Sequence, residues 1–399
     1  MSTDPVRLHG MPLTRFPALD GLRGVAALMV FATHASFLTG MSGQNTLVGR
    51  LLARGDFGVA LFFALSGFLL SRQLHHSLAS TGSVRGGRYL LRRVARIFPA
   101  YWLTLGVLAV LTSASWRDVI VHALGLQIYV SDSSIAAFGQ SWSVATEFSF
   151  YLVLPLLALG LHRLRAYRPQ WVVPLLCSAV AATSLSTLLV PAAVLGQDLV
   201  LERLLPWRAP FFLIGILVAE MLITPTSRSS RWLRPLAAQP AAAVALAASA
   251  YLAGTTPIAG SLLLEPTAGV PLFLRTLLAC VVAGALLVPL TLGPTSTLTH
   301  QLSRPTTRWL GTVSYGVFLW HLPVLEGLYA LSGAPPFRGG ILPLVAVGLP
   351  LSLFLGWVSH SMIELPASRL AARWTRDRRE AEGDNQGDTD PSLDQPRSR

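Results

Sequence analysis

The stretch DGLRGVAALMVFATH, residues 20–34, decides how the rest of the chain is read. It is apolar and helix-forming, yet it holds an aspartate, an arginine and a histidine. On a helix with 100° and 1.5 Å per residue, the eleven positions from Arg23 to His34 are three turns plus about 20°, or ~16 Å along one face. Asp20 precedes Arg23 by three residues, shares that face and is spaced to pair with it. Two readings follow. In one, Arg23 snorkels to an interface and His34 is a hydrogen-bonded packing residue. In the other, the shared face lines a cavity, because ionisable groups kept inside a membrane mark function by default.

Composition supplies the membrane. The 399 residues are 52% hydrophobic and only 13% charged, against about 25% charged in soluble domains, and the mean hydropathy is +0.54. All 31 basic residues are arginine, giving a net charge of +12. They sit in short clusters between long apolar runs and not along one soluble face, which excludes a nucleic-acid partner. Cys177 and Cys280 lie inside apolar runs and read as packing residues, neither a disulfide nor a thioester nucleophile. No Walker-type glycine loop and no metal-ligating pattern stands out.

A span needs roughly 17–25 apolar residues. Ten such runs are expected, near 17–38, 57–74, 98–113, 142–161, 171–194, 208–224, 236–254, 270–292, 311–332 and 341–363. The fold class is therefore all-α, a polytopic bundle of about ten membrane helices in the cell membrane, covering residues 15–370. Residues 1–14 and 371–399 are polar and read as disordered ends. With the N-terminus inside, the inner connections and ends hold 21 arginines and the outer connections five. Both termini are then cytoplasmic. A crossing at 118–130 would spoil that bias, so this segment is expected to stay on the outer side or to re-enter. The first run retains Asp20 and Arg23 and so reads as a kept helix, not a cleaved signal.

Other spans repeat the anomaly. GDFGVALFFALSGFLLSR (55–72) puts Ser66 and Gly67 mid-span, either for close helix packing or for chemistry. RYLLRRVARIFPAYW (88–102) puts Arg93 and Arg96 one turn apart at a span's inner end, either as topology signals or as a phosphate clamp. WSVATEFSFY (142–151) carries Glu147 within a span, SYGVFLWHLP (314–323) carries His321, and Arg275 lies near the outer end of its span, where snorkelling accounts for it.

Together with LDGLRGVAALMVFATHA, GVALFFALSGFLL and IELP, these motifs resemble the acyltransferase 3 family of membrane O-acyltransferases, in the family's order from about residue 15 to 370. The resemblance implies about ten spans and transfer of an acyl group, such as acetyl, from acyl-CoA to a hydroxyl. The acceptor class it implies is a sugar, a surface glycan or a glycosylated metabolite such as a macrolide. Acyl-CoA would be a donor substrate, with no permanently bound cofactor. The family's essential arginine and histidine fall on Arg23 and His34, its basic pair on Arg93 and Arg96, its small motif on Ser66, Gly67 and Phe68, and its tryptophan and acid on Trp142 and Glu147. Many members have a second acid after the first; Phe148 stands there, so a mechanism needing adjacent carboxylates does not fit.

The implied site puts donor phosphates at Arg23, Arg93 and Arg96 and the thioester near His34, as general base or as covalent carrier. Glu147 sits at a depth similar to His34 and either fixes its tautomer, bonds helices together or binds acceptor. Asp20, Ser66, Trp142 and His321 are expected to bind substrate or to hold the site. The competing class is a polytopic transporter using the same charges for coupling.

Overall fold

The computed structural model describes residues 15–375 apart from 131, 190–200, 225–227, 264–266, 334 and 336. Among these residues the chain is helical, with no strand. Its α-helices are α1 Pro17–Leu38, α2 Leu47–Ala53, α3 Phe57–Thr81, α4 Gly86–Leu111, α5 Trp116–Ala123, α6 Trp142–Tyr167 and α7 Val172–Leu185. They continue as α8 Leu205–Ile223, α9 Arg228–Ala238, α10 Pro240–Gly254, α11 Gly269–Thr291, α12 Thr297–Leu302, α13 Pro305–Leu331 and α14 Ile341–Ser359.

Each of the ten expected spans falls on one of these helices, and eight stretches are long and apolar enough to cross a membrane. The other two spans differ for separate reasons. α10 has only 15 residues, and α13, with 27, carries Arg308, Ser314, His321 and Glu326 along its length. The end of the fifth span, 190–194, lies outside the described residues, as do 1–14 and 376–399. α14 passes through a π-helical turn, His360–Glu364, and stays helical to Thr375, where the Arg92 guanidinium donates to the Thr375 hydroxyl at 2.8 Å. The described helix thus continues past 370.

α4 begins at Gly86, twelve residues before the expected start of its span, so Arg93 and Arg96 lie well inside a helix. The hydropathy of the arginine-rich first turns hid them, although nothing in them breaks a helix. Segment 118–130 does not cross. α5 has eight residues, and the chain then turns back along α4: the Trp102 indole N–H donates to the Ala123 carbonyl at 2.9 Å and the Gln127 amide to the Tyr101 hydroxyl at 3.1 Å.

Within lipid there is little hydrophobic drive between helices, so backbone approach through small residues sets their neighbours. α1 packs along α13, where Gly311 touches the Asp20 carbonyl and Gly24 meets Leu310 and Gly311. α3 packs along α8 in the same manner, Gly67 on the Phe212 carbonyl and Gly215 on the Ala64 carbonyl. Gly67 is therefore a packing residue, while its neighbour Ser66 points the other way, into a cavity. Below, the proximal end of the bundle is the end where α1 starts, and the distal end is where α1 finishes.

Candidate active site

α1, α3, α4, α6, α13 and the π-helical turn enclose a cavity of ≈ 730 Å³. That size lies within the range of about 300–1,000 Å³ usual for cofactor and small-molecule sites. Of the residues singled out in the sequence, Asp20, Arg23, Ser66, Arg93, Arg96 and Glu147 line it. Its proximal rim is exposed at Arg15, Arg96 and Thr312, and its walls become apolar toward Phe62, Phe63 and Phe318.

The guanidiniums are arranged with donors to spare. Among the described residues Arg23 and Arg96 make no hydrogen bond and no ion pair, and Arg93 uses only one nitrogen, toward the Gln73 amide oxygen at 3.2 Å. The spacing of Asp20 suggested a pair with Arg23, but Asp20 pairs with Arg15 at 3.7 Å. Asp20 and Arg23 both line the cavity, and Arg23 has no carboxylate partner among the described residues.

Glu147 is held by hydroxyls. Ser66 donates to its Oε1 and Tyr151, one turn further along α6, donates to the same oxygen at 2.7 Å. Neither His34 nor His321 is among its partners, so of the three roles open to Glu147 the carboxylate–imidazole pairing is not formed. Phe148, in place of a second acid, faces away and packs its ring edge-on to Phe98 at 5.0 Å.

His34 instead meets His321, 287 residues away in sequence. His34 Nδ1 lies 2.9 Å from the Val30 carbonyl oxygen, His321 Nδ1 lies 2.8 Å from the Phe318 carbonyl oxygen, and His321 Nε2 is 3.2 Å from His34 Nδ1. Carbonyl oxygens only accept, so for neutral rings both Nδ1 atoms carry the hydrogen. The His321 Nε2 lone pair then faces the His34 Nδ1–H, and His34 Nε2 is the nitrogen with an unshared pair. His321 is 1% exposed, walled by Phe31 and Phe318.

Neither histidine lines the cavity. Phe318 connects the two regions: it lines the cavity wall, and its ring centroid is 5.8 Å from that of His321. Trp142 also lies off the cavity, at the distal end, with the Arg208 guanidinium 5.0 Å over its ring and Phe63 against its edge.

Several groups escaped the sequence reading. Tyr151 and Gln73 hold Glu147 and Arg93; the i+4 spacing of Tyr151 from Glu147 was a usable signal. His360 and Glu364, 3.3 Å apart, sit in the π-helical turn on the cavity's proximal wall, and no periodic signal announces such a turn.

A family model described as an acyltransferase domain matches residues 16–360, and the chain belongs to that family, acyltransferase 3; it is a multi-pass membrane acyltransferase. Acyltransferase MdmB of Streptomyces mycarofaciens is 26% identical over 390 residues, covering 90% of this chain and 94% of its own. Peptidoglycan O-acetyltransferase OatA of Listeria monocytogenes is 27% identical over 340 residues, 77% of this chain and 49% of that one. The putative peptidoglycan O-acetyltransferase YrhL of Bacillus subtilis is 28% identical over 371 residues, 88% and 54% respectively. The chain thus spans about half the length of the two peptidoglycan relatives and nearly all of MdmB. No solved structure matches it.

Proposed function

We propose that this acyltransferase moves a short acyl group from acyl-CoA to a hydroxyl of a carbohydrate, a surface glycan or a glycosylated metabolite. The observation that carries the reading is the set of three guanidiniums with free donors around the ≈ 730 Å³ cavity, whose far wall is one phenylalanine from the His321–His34 pair. Phosphates of the donor bind Arg23, Arg93 and Arg96 through charge-assisted hydrogen bonds. The pantetheine arm runs along α1 past Ser66 and Glu147, over a distance of the order of the ~16 Å from Arg23 to His34. Phe318 must turn aside for the thioester to reach the histidine.

At that point His34 Nε2 takes the proton of the acceptor hydroxyl while the oxygen attacks the thioester carbonyl. The tetrahedral intermediate collapses, the carbon–sulfur bond breaks, and the proton passes from His34 to the leaving thiolate, giving the ester and free CoA. His321 accepts from the His34 Nδ1–H and stabilises the imidazolium between the two transfers, the task that a carboxylate performs in hydrolase triads. With the arginine bias read as positive-inside, the proximal end and both termini are cytoplasmic, where acyl-CoA is made.

The test uses purified protein in lipid nanodiscs with acetyl-CoA labelled in the acetyl group. CoA should bind, and label should pass to an added polyol or glycan. Counterflow of a solute with neither CoA binding nor label transfer would overturn the reading in favour of a transporter. Reporter fusions after Arg165 and after Arg338 should report inside and outside; the reverse would overturn the orientation.

A further inference from the structure

A second arginine cluster occupies the distal end, apart from the donor cavity. Arg54 lies in the turn between α2 and α3 and is the largest of the fully buried side chains, 1% exposed. One of its nitrogens is 3.5 Å from the Asp56 carboxylate; Nε and Nη2 have no partner. Asp56 is shared, since Arg275 of α11 also pairs with it. Arg275 therefore does not snorkel to water as its position in the span suggested. Across from them Arg208 of α8 reaches Glu202 at 3.7 Å, leaves its Nε unpartnered and lies over Trp142. Arg203 adds a fourth guanidinium beside Glu202. Four cations thus face two carboxylates among the described residues.

A purely structural ion network would match donors to acceptors, because an unpaired charge held away from water is costly. This one does not: Asp56 Oδ1 and Glu202 Oε2 also lack a hydrogen bond, yet guanidiniums outnumber carboxylates two to one and Arg54 is fully buried. The cluster packs against the turn of α1 that precedes the histidine: the Thr33 hydroxyl, next to His34, donates to the Leu52 carbonyl at 2.9 Å, and Gly55 lies against Met29 and Thr33.

We infer that Arg54, Arg208 and Arg275 form the acceptor site and that the acceptor is anionic, a hydroxyl compound that also carries a carboxylate or a phosphate. The anion engages the open donors of Arg54 and Arg208, a geometry that guanidinium suits better than ammonium. Its hydroxyl is thereby held toward His34 from the end opposite the donor. This rests on the reading of His34 as the base, but the anion site itself is testable without turnover.

The experiment measures binding of three probes in nanodiscs at low salt: methyl glucuronide, glucose 6-phosphate and the neutral methyl glucoside. The protein carries Arg93→Gln and Arg96→Gln, which weakens anion binding in the proximal cavity, and any binding left at Arg15, Arg23 and Arg72 is unaffected by the distal substitutions. At least one anionic probe should bind tenfold or more tighter than methyl glucoside, and the preferred probe separates carboxylate from phosphate. Adding Arg208→Gln or Arg54→Gln should erase the preference, Arg54→Lys should keep part of it, and high salt should weaken it. A thermal melt of each variant shows that it is folded; should Arg54→Gln fail that check, Arg208→Gln and Arg54→Lys carry the test. Equal binding of neutral and anionic probes, or a preference that survives both folded glutamine variants, would overturn the proposal. Absence of CoA binding by the unaltered protein, with the anion preference intact, would overturn only the donor reading.

Discussion

The two ends of α1 place polar groups among apolar helices in opposite ways. Around the cavity Arg23 and Arg96 are unpaired among the described residues and Arg93 keeps spare donors. Around His34 both rings are pinned through Nδ1, to carbonyls of their own helices, and to each other. The first arrangement is suited to a ligand that brings its own charge. The second is suited to a proton that must come and go from one nitrogen, since a fixed tautomer leaves His34 Nε2 as the only basic position. On the proposed reading, binding and chemistry are separated along one helix by about three turns.

Substitutions can break that division. His34→Ala should cost turnover about 10³-fold, within the 10²–10⁴ usual for a lost general base, while CoA affinity measured by calorimetry stays unchanged. A variant that still turns over at full rate would remove the division altogether. His321→Phe should cost about 100-fold and shift the acid limb of the pH–rate profile, because the imidazolium loses its acceptor; His321→Gln, whose side-chain oxygen can accept from Nδ1–H, should recover part of both. A merely packing role for His321 would make phenylalanine the better replacement.

At the other end the signature reverses. Arg93→Gln with Arg96→Gln should raise the donor KM about tenfold or more, each lost charge-assisted bond being worth roughly 1.5–3 kcal/mol, with kcat within about threefold. An unchanged donor KM would leave these arginines as topology signals. The smallest effect is expected at Glu147. Its carboxylate lines the same cavity as the three guanidiniums proposed to hold the phosphates, so Glu147→Gln should lower the donor KM by about two- to fivefold at low salt, and the gain should vanish in molar salt. A large loss of kcat at unchanged donor KM would instead assign Glu147 to the chemistry.

Hydropathy and arginine spacing determined much of this protein before any helix was packed. Ten apolar runs reappear as helices, and the same-face spacing of Arg23 and His34 depends only on helix pitch. These are local properties, encoded within some twenty consecutive residues. Partnership is different, because it depends on which faces of distant helices meet and at what height. The contacts of Gly24 and Gly311 set α1 against α13, and that register brings His321 to His34. Glu147 and His34 sit at similar depths in their spans, yet Glu147 is turned to Ser66 and Tyr151. Arg275 looked like an interface residue; only the packing of α3 against α11 gathers it with Arg54 on Asp56. The sequence specified which ionisable groups lie within apolar runs, and lateral helix contacts through glycine and phenylalanine decided which of them face one another.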